Sequence, residues 1–316
     1  MSPEPSAGSQ DYVGDIRNDD VLISVNGELV RRPDAKVSVF DSGFVLGDGV
    51  WEGLRLHDGR VAFLDKHLDR LWAGAKMLLI KIGLTREELT QRLYDVIDAN
   101  GMRDGVHIRL MVTRGVKRSP YQDPRLTIGA ATIVIIPEWK LPKPEMLAKG
   151  MDLFTVHVRR TGPAEQDQKL NSHSKLNCVL ACIQAMEAGA DEGLMLDDRG
   201  FVATCNSTHF FIVRGGELWT SAGGYCLGGI TRDAVLRAAR RAGVPTYEKD
   251  FSLFDVYGAD EAFCTGTFAG LTPVRKVDGR LIGERGEDPA DASGPMTRRL
   301  RAFYKELERE EARGRA

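Results

Sequence analysis

The 316-residue sequence contains no run of about eighteen apolar residues, so a membrane-spanning helix is not expected. The stretch from Met1 to Asp15 is polar and lacks the apolar core of a secretory signal, which favours a cytoplasmic protein. An excess of one charge is also lacking, because 43 Lys and Arg residues face 45 Asp and Glu residues, for a formal net charge of -2. Without a strong basic field, neither nucleic acid nor an anionic membrane is an expected partner.

Cysteine is scarce, with five residues in the chain and no CxxC pair. Cys178 and Cys182 would share one helical face, but no second pair of Cys or His completes a zinc site. The sequence therefore predicts no bound metal, and it predicts free thiols of the kind found in a reducing cytosol.

Apolar residues make up 42% of the chain, which is enough for a packed core, and the length suits one large domain or two of ordinary size. Strand-like and helix-like segments follow one another, and PEWKLPKPEMLAKG, near 137–150, has three prolines typical of a linker. We predict an α+β fold with two lobes, each with its own sheet. The predicted parts are a flexible segment 1–20, a small N-terminal domain 21–140, a linker 141–150 and a large C-terminal domain 151–316.

Local signals indicate where turns and helices begin. The Asn-Gly at 26–27 and the Asp-Gly at 58–59 each lie between short apolar stretches and predict β-hairpins. Thr85, with Glu88 three residues later, predicts the capped start of a helix. Another helix is predicted from about 174 to 188, ending before a glycine.

Two segments rich in glycine and threonine are candidate anion sites. In LGGITRD, residues 227–233, two glycines and Thr231 precede a helical pattern, and a helix N-terminus offers unpaired N–H groups to a phosphate. An ordinary turn with an N-cap is the alternative. TGTFAG, residues 265–270, ends an apolar strand with two hydroxyls and a backbone that an anion can approach, and a tight turn is the alternative there.

Three basic residues are candidates for chemistry. Arg70 lies on the apolar side of an amphipathic helix, where it either binds an anion or pairs with Asp69 or Asp65. Lys169 lies in a loop between a strand and a helix, and a lysine that is desolvated at such a strand end becomes nucleophilic. Lys175 is the rival, in the first turn of the predicted helix, where a solvated lysine is the normal case.

In this order along the chain, the segments together resemble the fold-type IV pyridoxal-phosphate enzymes, the class IV aminotransferases. GFVLGDGVWEGLR, residues 43–55, is similar to the family's first motif, with features of both D-amino-acid and branched-chain enzymes. LNCVLACIQAMEAGADEGLMLDDRGFV resembles the helix and strand after the cofactor lysine, and CLGGITRDAV and TGTFAGLTPV resemble the two phosphate-binding segments. The resemblance runs from about Val21 to Val277. It implies a two-lobe architecture in which each lobe is a mixed sheet with flanking helices.

The resemblance implies pyridoxal 5'-phosphate as cofactor, held by a lysine as an internal aldimine, with the same lysine moving a proton to and from the substrate. Counted back from LNCVLACIQA without a gap, the family's lysine falls at Asn171, which has no amine. Lys169 requires a small insertion and is favoured over Lys175, which requires a deletion. That neither lysine serves is the third alternative.

By the same resemblance, the cofactor phosphate would be bound by Arg70, Gly229, Ile230, Thr231 and Thr267. The acidic partner that most members place at the pyridine nitrogen corresponds here to Thr204, whose hydroxyl holds a ring proton less securely than a carboxylate. His209, in the same stretch, is either a support for the cofactor or a satisfied core histidine. We expect slower proton transfer than with an acidic partner.

On the substrate side, Phe44, Leu46 and Trp51 would line an apolar pocket. Arg118, with Arg114 in the same loop, falls where D-amino-acid enzymes carry carboxylate-binding residues, and a solvated loop is the alternative. The family implies an aminotransferase that moves an amino group between an amino acid or R-amine and a 2-oxo acid, assembled as a homodimer. A lyase of the aminodeoxychorismate-lyase type and a decayed or repurposed site are the alternatives.

Overall fold

A computed structural model of the chain describes residues 8–283 and 291–313. The strands are β1 (Tyr12–Val13), β2 (Leu22–Val25), β3 (Glu28–Arg31), β4 (Gly49–His57), β5 (Arg60–Val61), β6 (Val106–Thr113), β7 (Thr132–Trp139), β8 (Leu141–Pro142), β9 (Met151–Thr155), β10 (Glu192–Leu196), β11 (Val202–Cys205), β12 (His209–Arg214), β13 (Glu217–Thr220), β14 (Thr246–Glu248), β15 (Glu261–Gly266), β16 (Gly270–Val277) and β17 (Arg280–Leu281). The α-helices are α1 (Ser42–Leu46), α2 (Leu64–Met77), α3 (Arg86–Ala99), α4 (Pro144–Lys149), α5 (Leu176–Glu187), α6 (Ile230–Arg241), α7 (Leu253–Tyr257) and α8 (Pro295–Arg313). Short 3-10 helices lie at Ile16–Asp19, Arg32–Asp34 and Pro124–Leu126.

The chain divides into two compact units. Of the described residues, the N-terminal unit contains Gly14–Leu141, the short stretch Leu170–Lys175 and 309–313. The C-terminal unit contains 8–13, Pro142–Lys169, 176–283 and 291–308.

The predicted linker and the predicted flexible N-terminal segment both contain regular structure. The predicted linker, 141–150, contains β8 and α4. Of the predicted flexible segment, 1–20, residues 1–7 lie outside the described part of the chain, and the remainder contains β1 and the first 3-10 helix.

The N-terminal unit is built on a six-stranded sheet in the order β3-β2-β7-β6-β4-β5. All of these neighbouring strands pair antiparallel, so the mixed sheet predicted for this lobe is wrong. Both predicted hairpins are confirmed. Their turns hold Asn26 at φ 55° and Asp58 at φ 49°, a left-handed conformation that Asn and Asp tolerate better than most side chains.

Two amphipathic helices pack on this sheet, α2 on β4 and α3 on β2 and β7. The predicted capping box begins α3, because Glu88 N donates to Thr85 Oγ1 at 3.1 Å and Thr85 N donates to the Glu88 carboxylate at 2.7 Å. Burying one leucine stabilises a fold by roughly 1.5–3 kcal/mol. Both helices bury apolar side chains in one core, and this burial holds them on the sheet. The buried side chains are Leu68, Leu71, Leu89, Leu93 and Val96.

The C-terminal unit is built on a nine-stranded sheet in the order β11-β10-β9-β16-β15-β12-β13-β14, with β17 paired to β16. Strand β9 runs parallel to β10 and β16, and β13 runs parallel to β14, so this sheet is mixed, as predicted. Its central strands are nearly continuous apolar runs, such as HFFIVR in β12, which suits strands buried on both faces. Phe211 and Phe263 stack with ring centres 5.1 Å apart, which ties β12 to β15.

The α+β class predicted from the sequence is confirmed. Among the described residues, no helix combines the length and the apolar character that crossing a membrane requires. Over the same residues, no cluster of His, Cys, Asp and Glu side chains is arranged to hold a metal ion. All five cysteines are free thiols.

Candidate active site

The phosphate-binding segment predicted at 227–233 forms the start of α6. The helix begins at Ile230 with Gly229 as its N-cap, and Asp233 N donates to Gly229 O at 2.9 Å. The first N–H groups of a helix have no acceptor within the helix and carry partial positive charge. Thr231 is only 5% exposed and adds a hydroxyl in this first turn. These are the donors that a phosphate group requires.

The second predicted segment is the turn between β15 and β16, where Thr267 is half-buried. In the strand before it, Thr265 is 3% exposed, and its Oγ1 has no hydrogen-bond partner among the described residues. An unpaired buried hydroxyl costs roughly 1–3 kcal/mol, so a ligand oxygen or a water is expected to pair with it. The helix that begins with the first predicted segment packs on β15, the strand that ends in the second.

Arg70 lies in α2 and pairs with Glu52 of β4, a partner that neither of the alternatives drawn from the sequence included. Arg70 Nε donates to Oε1 at 2.8 Å and Nη2 donates to Oε2 at 2.6 Å, a two-point contact typical of arginine and carboxylate. His67 Nδ1 contacts the same carboxylate at 2.7 Å. The Arg70 side chain is 17% exposed and that of Glu52 is fully buried. The guanidinium is therefore fixed against the sheet of the N-terminal unit.

The charges of this cluster follow from its burial. Burial by itself raises the pKa of Glu52. The charge and hydrogen bonds of Arg70, with a smaller contribution from His67, lower the pKa by more, so the pKa of Glu52 is below its ordinary value. Burial lowers the pKa of His67, which is therefore neutral beside an ionised Glu52. Neither Glu52, the partner of Arg70, nor His67, which contacts the same carboxylate, was predicted from the sequence. The signal was a charged residue at an otherwise apolar strand position, in VWEGLRL.

Asn171 lies in the stretch Leu170–Lys175, which pairs with β4 in the N-terminal unit. Trp51 N donates to Asn171 O at 3.0 Å, and Asn171 Nδ2 donates to Trp51 O at 2.6 Å. Asn171 is 5% exposed, and its Oδ1 has no hydrogen-bond partner in the part of the chain that the structure describes. The position that aligns without a gap to the family's lysine is thus a fixed, buried amide.

The two candidate lysines have different surroundings. Lys169 is exposed in a turn of the C-terminal unit, and its backbone N donates to the Asp167 carboxylate at 2.9 Å. The prediction that Lys175 lies in the first turn of a helix is wrong, because α5 begins one residue later, at Leu176. Lys175 Nζ lies 5.7 Å from the centre of the Trp51 ring, a cation–π distance. The preference for Lys169 over Lys175 stays a prediction.

Thr204 lies in β11, is 5% exposed and donates its hydroxyl to Thr208 O at 2.9 Å. The Thr204 oxygen is 3.4 Å from Nδ1 of His209. On the other side of the ring, His209 Nε2 accepts from Arg232 Nε at 3.0 Å, and Thr220 Oγ1 lies 2.6 Å from the same nitrogen. His209 is thus a hydrogen-bonded buried residue, as one of the two alternatives expected, and its support of the cofactor stays a prediction.

The contact with Arg232 decides the protonation of His209. An arginine N–H can only donate, so Nε2 carries the lone pair and the proton is assigned to Nδ1. Burial, and then the positive charge of Arg232, lower the pKa of His209 well below its ordinary value, so the ring is neutral. The Nδ1–H faces the Thr204 oxygen. Arg232 was not predicted from the sequence as a site residue, and its signal was a charged residue on the buried face of α6, in GITRDAV.

The residues predicted to line a substrate pocket differ in exposure. Phe44 in α1 is 71% exposed, whereas Leu46 and Trp51 are half-buried. The Trp51 indole N–H donates to Ser172 O at 3.0 Å. Arg109 of β6, which was not predicted from the sequence, places its guanidinium 4.0 Å from the centre of the Trp51 ring. Its signal was an arginine at an outward position of the alternating strand VHIRLMVT.

The two arginines of the predicted carboxylate-binding loop are not equivalent. Arg114 donates from Nε and Nη2 to the Asp48 carboxylate at 2.6 and 3.0 Å, and from Nη2 to Leu78 O at 2.8 Å. Its guanidinium is therefore engaged within the N-terminal unit. Arg118 is exposed and stays the predicted carboxylate ligand of this loop.

A family model described as amino-transferase class IV matches residues 49–277. The chain is 40% identical over 290 residues to the branched-chain-amino-acid aminotransferase-like protein 2 of Arabidopsis thaliana. This match covers 92% of the chain but only 51% of the plant protein, so the chain spans about half the length of that relative. It is 34% identical over 296 residues to the branched-chain-amino-acid aminotransferase of Pseudomonas aeruginosa, with 91% of this chain and 93% of that one covered.

A solved structure of an aminotransferase also matches the chain. The T.th. branched-chain amino acid aminotransferase, complexed with N-(5'-phosphopyridoxyl)-L-glutamate, matches with a TM-score of 0.81 at 32% identity, over 91% of this chain and 93% of that chain. The chain belongs to the class IV aminotransferases, and the predicted family, fold-type IV architecture and enzyme class are confirmed. The lyase and the decayed site are not favoured by these relatives.

The cofactor of this family is pyridoxal 5'-phosphate, as predicted. The residues present fit its phosphate, since the start of α6 offers amides and a hydroxyl, and the Thr265 hydroxyl at the end of β15 has no partner among the described residues. At the position assigned to the ring nitrogen, Thr204 offers a hydroxyl and no carboxylate. The amine must come from a residue other than Asn171.

Proposed function

We propose that the protein is a pyridoxal-phosphate-dependent aminotransferase that moves an amino group between an amino acid or R-amine and a 2-oxo acid. The observation that carries this proposal is the pair of phosphate-binding segments in the C-terminal unit. The helix α6, which begins with one segment, packs on β15, which ends in the other, and both segments offer hydroxyls. They lie in the part of the chain that the family match covers.

The proposed phosphate ligands in the C-terminal unit are the amides of Ile230 and Thr231 and the hydroxyls of Thr231 and Thr267, and Arg70 stays the cation that the family resemblance predicts. When bound, the cofactor supplies an electron sink for breaking the bond between the substrate Cα and its hydrogen. The protein's part is to hold the phosphate, to present Thr204 to the ring nitrogen and to move one proton with a lysine amine. Lys169 is the proposed amine, with Lys175 as the rival.

A half-reaction screen tests the activity. Full-length protein saturated with pyridoxal phosphate is mixed with D-alanine, L-leucine or R-1-phenylethylamine, and the visible absorbance of the bound cofactor is followed. An accepted donor is expected to convert the cofactor spectrum, and added pyruvate is then expected to yield alanine in proportion. If none of the three donors changes the spectrum of a protein that has bound the cofactor, the proposal is wrong.

The phosphate ligands are tested separately by affinity. Replacing Thr231 by valine keeps the side-chain shape and removes one hydrogen bond to a charged group, worth about 1.5 kcal/mol or more. We expect the Kd for pyridoxal phosphate to rise about tenfold. Thr246→Val makes the same change at a half-buried threonine of β14 and is expected to leave the Kd unchanged. Equal affinities of the two variants would refute the assignment.

The lysine is identified by chemistry. Borohydride is added to the holoenzyme to fix the cofactor to its amine, and the labelled peptide is sequenced by mass spectrometry. Label at Lys169 is expected, and Lys169→Ala should abolish it while the exposed Lys36→Ala does not. Label at Lys175 would transfer the role to the rival, and a protein without label would use neither.

We also propose a homodimer. Five apolar side chains of α5 share one face at helical spacing and are 45–68% exposed: Leu176, Val179, Leu180, Ile183 and Met186. A contiguous exposed apolar stripe of this kind is typical of a protein–protein interface.

A cytoplasmic location stays a prediction.

The assembly is tested by light scattering after size exclusion. The wild type is expected to have the mass of two chains, and Ile183→Asp is expected to yield single chains because it places a charge in the apolar face. Leu79→Asp makes the same change at a leucine that is 83% exposed outside α5, and should remain dimeric. A wild-type monomer would refute the dimer.

A further inference from the structure

Three buried side chains of the C-terminal unit, Arg232, His209 and Thr204, lie in one row of hydrogen bonds. Arg232 Nε lies 3.0 Å from His209 Nε2, and His209 Nδ1 lies 3.4 Å from the Thr204 oxygen. The Thr204 hydroxyl in turn donates to Thr208 O at 2.9 Å. The row therefore joins a cation to the residue that is proposed to face the ring nitrogen of the cofactor.

The donors of this row all point the same way. The Arg232 N–H can only donate, so Nε2 of His209 accepts and Nδ1 carries the hydrogen. The opposite tautomer would set an Nε2–H against the arginine N–H, with no acceptor between the two donors. Thr220 Oγ1, 2.6 Å from Nε2, is compatible with this assignment because a hydroxyl can rotate to donate. Every hydrogen in the row is thus directed from Arg232 toward Thr204, and each bond polarises the next.

The acceptor at the far end of the row is held in place. Thr208 donates to the Glu192 carboxylate from its backbone N at 2.7 Å and from its hydroxyl at 2.9 Å. Glu192 is fully buried, and Ser207 N donates to the same carboxylate at 2.7 Å. Thr208 O is therefore a fixed acceptor, and the hydrogen of the Thr204 hydroxyl stays directed at it.

A hydroxyl has one hydrogen and two lone pairs. At Thr204 the hydrogen is donated to Thr208 O and one lone pair faces the His209 Nδ1–H, so an accepting lone pair is all that is left for a ligand. We propose that Arg232 is a positioning residue that acts through His209 to make Thr204 an acceptor, so that Thr204 binds the ring nitrogen of the cofactor in its protonated form. This inference rests on the proposed function for the place of Thr204, and it goes beyond that function by assigning Arg232 and the direction of the hydrogen bond.

Arg232 is itself oriented by two acceptors on its other side. Its Nη2 donates to Ser221 O at 2.8 Å and to the Glu248 carboxylate at 2.9 Å. Arg240, eight residues further along α6, donates to the other oxygen of the same carboxylate at 2.8 Å. Of these two arginines, Arg232 is the one that contacts His209. Arg240 therefore shares the helix and the carboxylate with Arg232 and is a matched control.

The tautomer is tested first, in the full-length chain without added cofactor. Histidine is labelled with nitrogen-15 for NMR, and the signals of His209 are assigned by their loss in His209→Gln. At pH 7 the wild type is expected to carry the hydrogen on Nδ1 and a lone pair on Nε2. Arg232→Met removes the donor and is expected to shift the hydrogen toward Nε2, whereas Arg240→Met should give the wild-type spectrum. A wild type with the hydrogen on Nε2 would overturn the proposal, whether or not Arg232→Met folds.

The second test measures the hydrogen bond to the ring nitrogen without any turnover. Pyridoxal phosphate labelled with nitrogen-15 in its ring is bound to the full-length chain, and its chemical shift is expected to be that of a protonated nitrogen at pH 7. The wild type is also expected to bind pyridoxal phosphate about tenfold more tightly than its deaza analogue, which has C–H in place of the ring nitrogen and loses one hydrogen bond to a charged group. Arg232→Met and Thr204→Val should each reduce this preference, and Arg240→Met should keep it.

Failure of this inference and failure of the proposed function give different results. A protonated ring nitrogen in a holoenzyme that no amino donor converts would refute the aminotransferase activity and support the role of Arg232. A neutral ring nitrogen in a holoenzyme that donors do convert would overturn this inference alone, as would the same preference for pyridoxal phosphate in Arg232→Met and Arg240→Met. A protein that does not bind pyridoxal phosphate would overturn both.

Discussion

Replacing Glu52 by glutamine would remove the negative charge that Arg70 and His67 share in the N-terminal unit. Glu52 is fully buried and the Arg70 side chain is 17% exposed, so water can restore only part of the lost interaction. Removing one partner of a buried ion pair costs about 3–5 kcal/mol. Because glutamine keeps the shape and one acceptor oxygen, we expect the free energy of unfolding to fall by about 3 kcal/mol, the low end of that range.

The assay is urea unfolding of the full-length chain at pH 7. Asp69→Asn is the matched control, because it makes the same change in an ion pair with Arg86 whose side chains are 65% and 42% exposed. Exposed pairs contribute about 0–1 kcal/mol, so the control should unfold nearly as the wild type does. If Glu52→Gln unfolds at the same urea concentration as Asp69→Asn, the buried cluster does not stabilise the unit.

The pH dependence gives an independent check. The pKa of Glu52 is lowered in the folded chain, so its stabilising effect is complete above the ordinary value of 4.5 and is lost as the pH falls through the lower folded value. The difference between wild type and Glu52→Gln should therefore be constant between neutral pH and 4.5 and shrink in stronger acid. A difference that grows on acidification would contradict this account.

Gly294→Ala should lower the free energy of unfolding by about 3 kcal/mol or more, since the added Cβ would lie 1.8 Å from Cδ of Glu261. The control is Gly224→Ala, which adds a Cβ in open space and should not change the Tm. His209→Gln should make the free energy of unfolding fall less steeply as the pH drops below 6.5. Burial holds the pKa of His209 well below 6.5, so only the unfolded chain binds a proton there. An unchanged pH profile would argue against a neutral ring. Thr204→Glu should change the cofactor spectrum and speed the half-reaction, while Thr204→Val should not speed it; spectra and rates unaffected by the glutamate would count against Thr204 as the partner of the ring nitrogen.

The sequence predicted best the features that depend on neighbours in the chain. The hairpin turns at 26–27 and 58–59, the capping box of Thr85 and the start of α6 at Ile230 each require only a few adjacent residues. The Glu52–Arg70 pair could not be predicted in this way, because it joins a strand to a helix 18 positions away. The antiparallel order of the N-terminal sheet likewise depends on packing and not on local propensity.

Asn171 shows why counting residues could not identify the lysine. The stretch around it is bound to β4 by hydrogen bonds in both directions between Trp51 and Asn171, and by His173 N donating to Gly49 O at 2.9 Å. Sliding the chain by two residues to bring Lys169 into this place would break these bonds. It would also put an ammonium group where a side chain is 5% exposed, which is unfavourable for a charge. Borohydride trapping, not alignment, is therefore the measurement that distinguishes Lys169, Lys175 and the alternative in which neither lysine holds the cofactor.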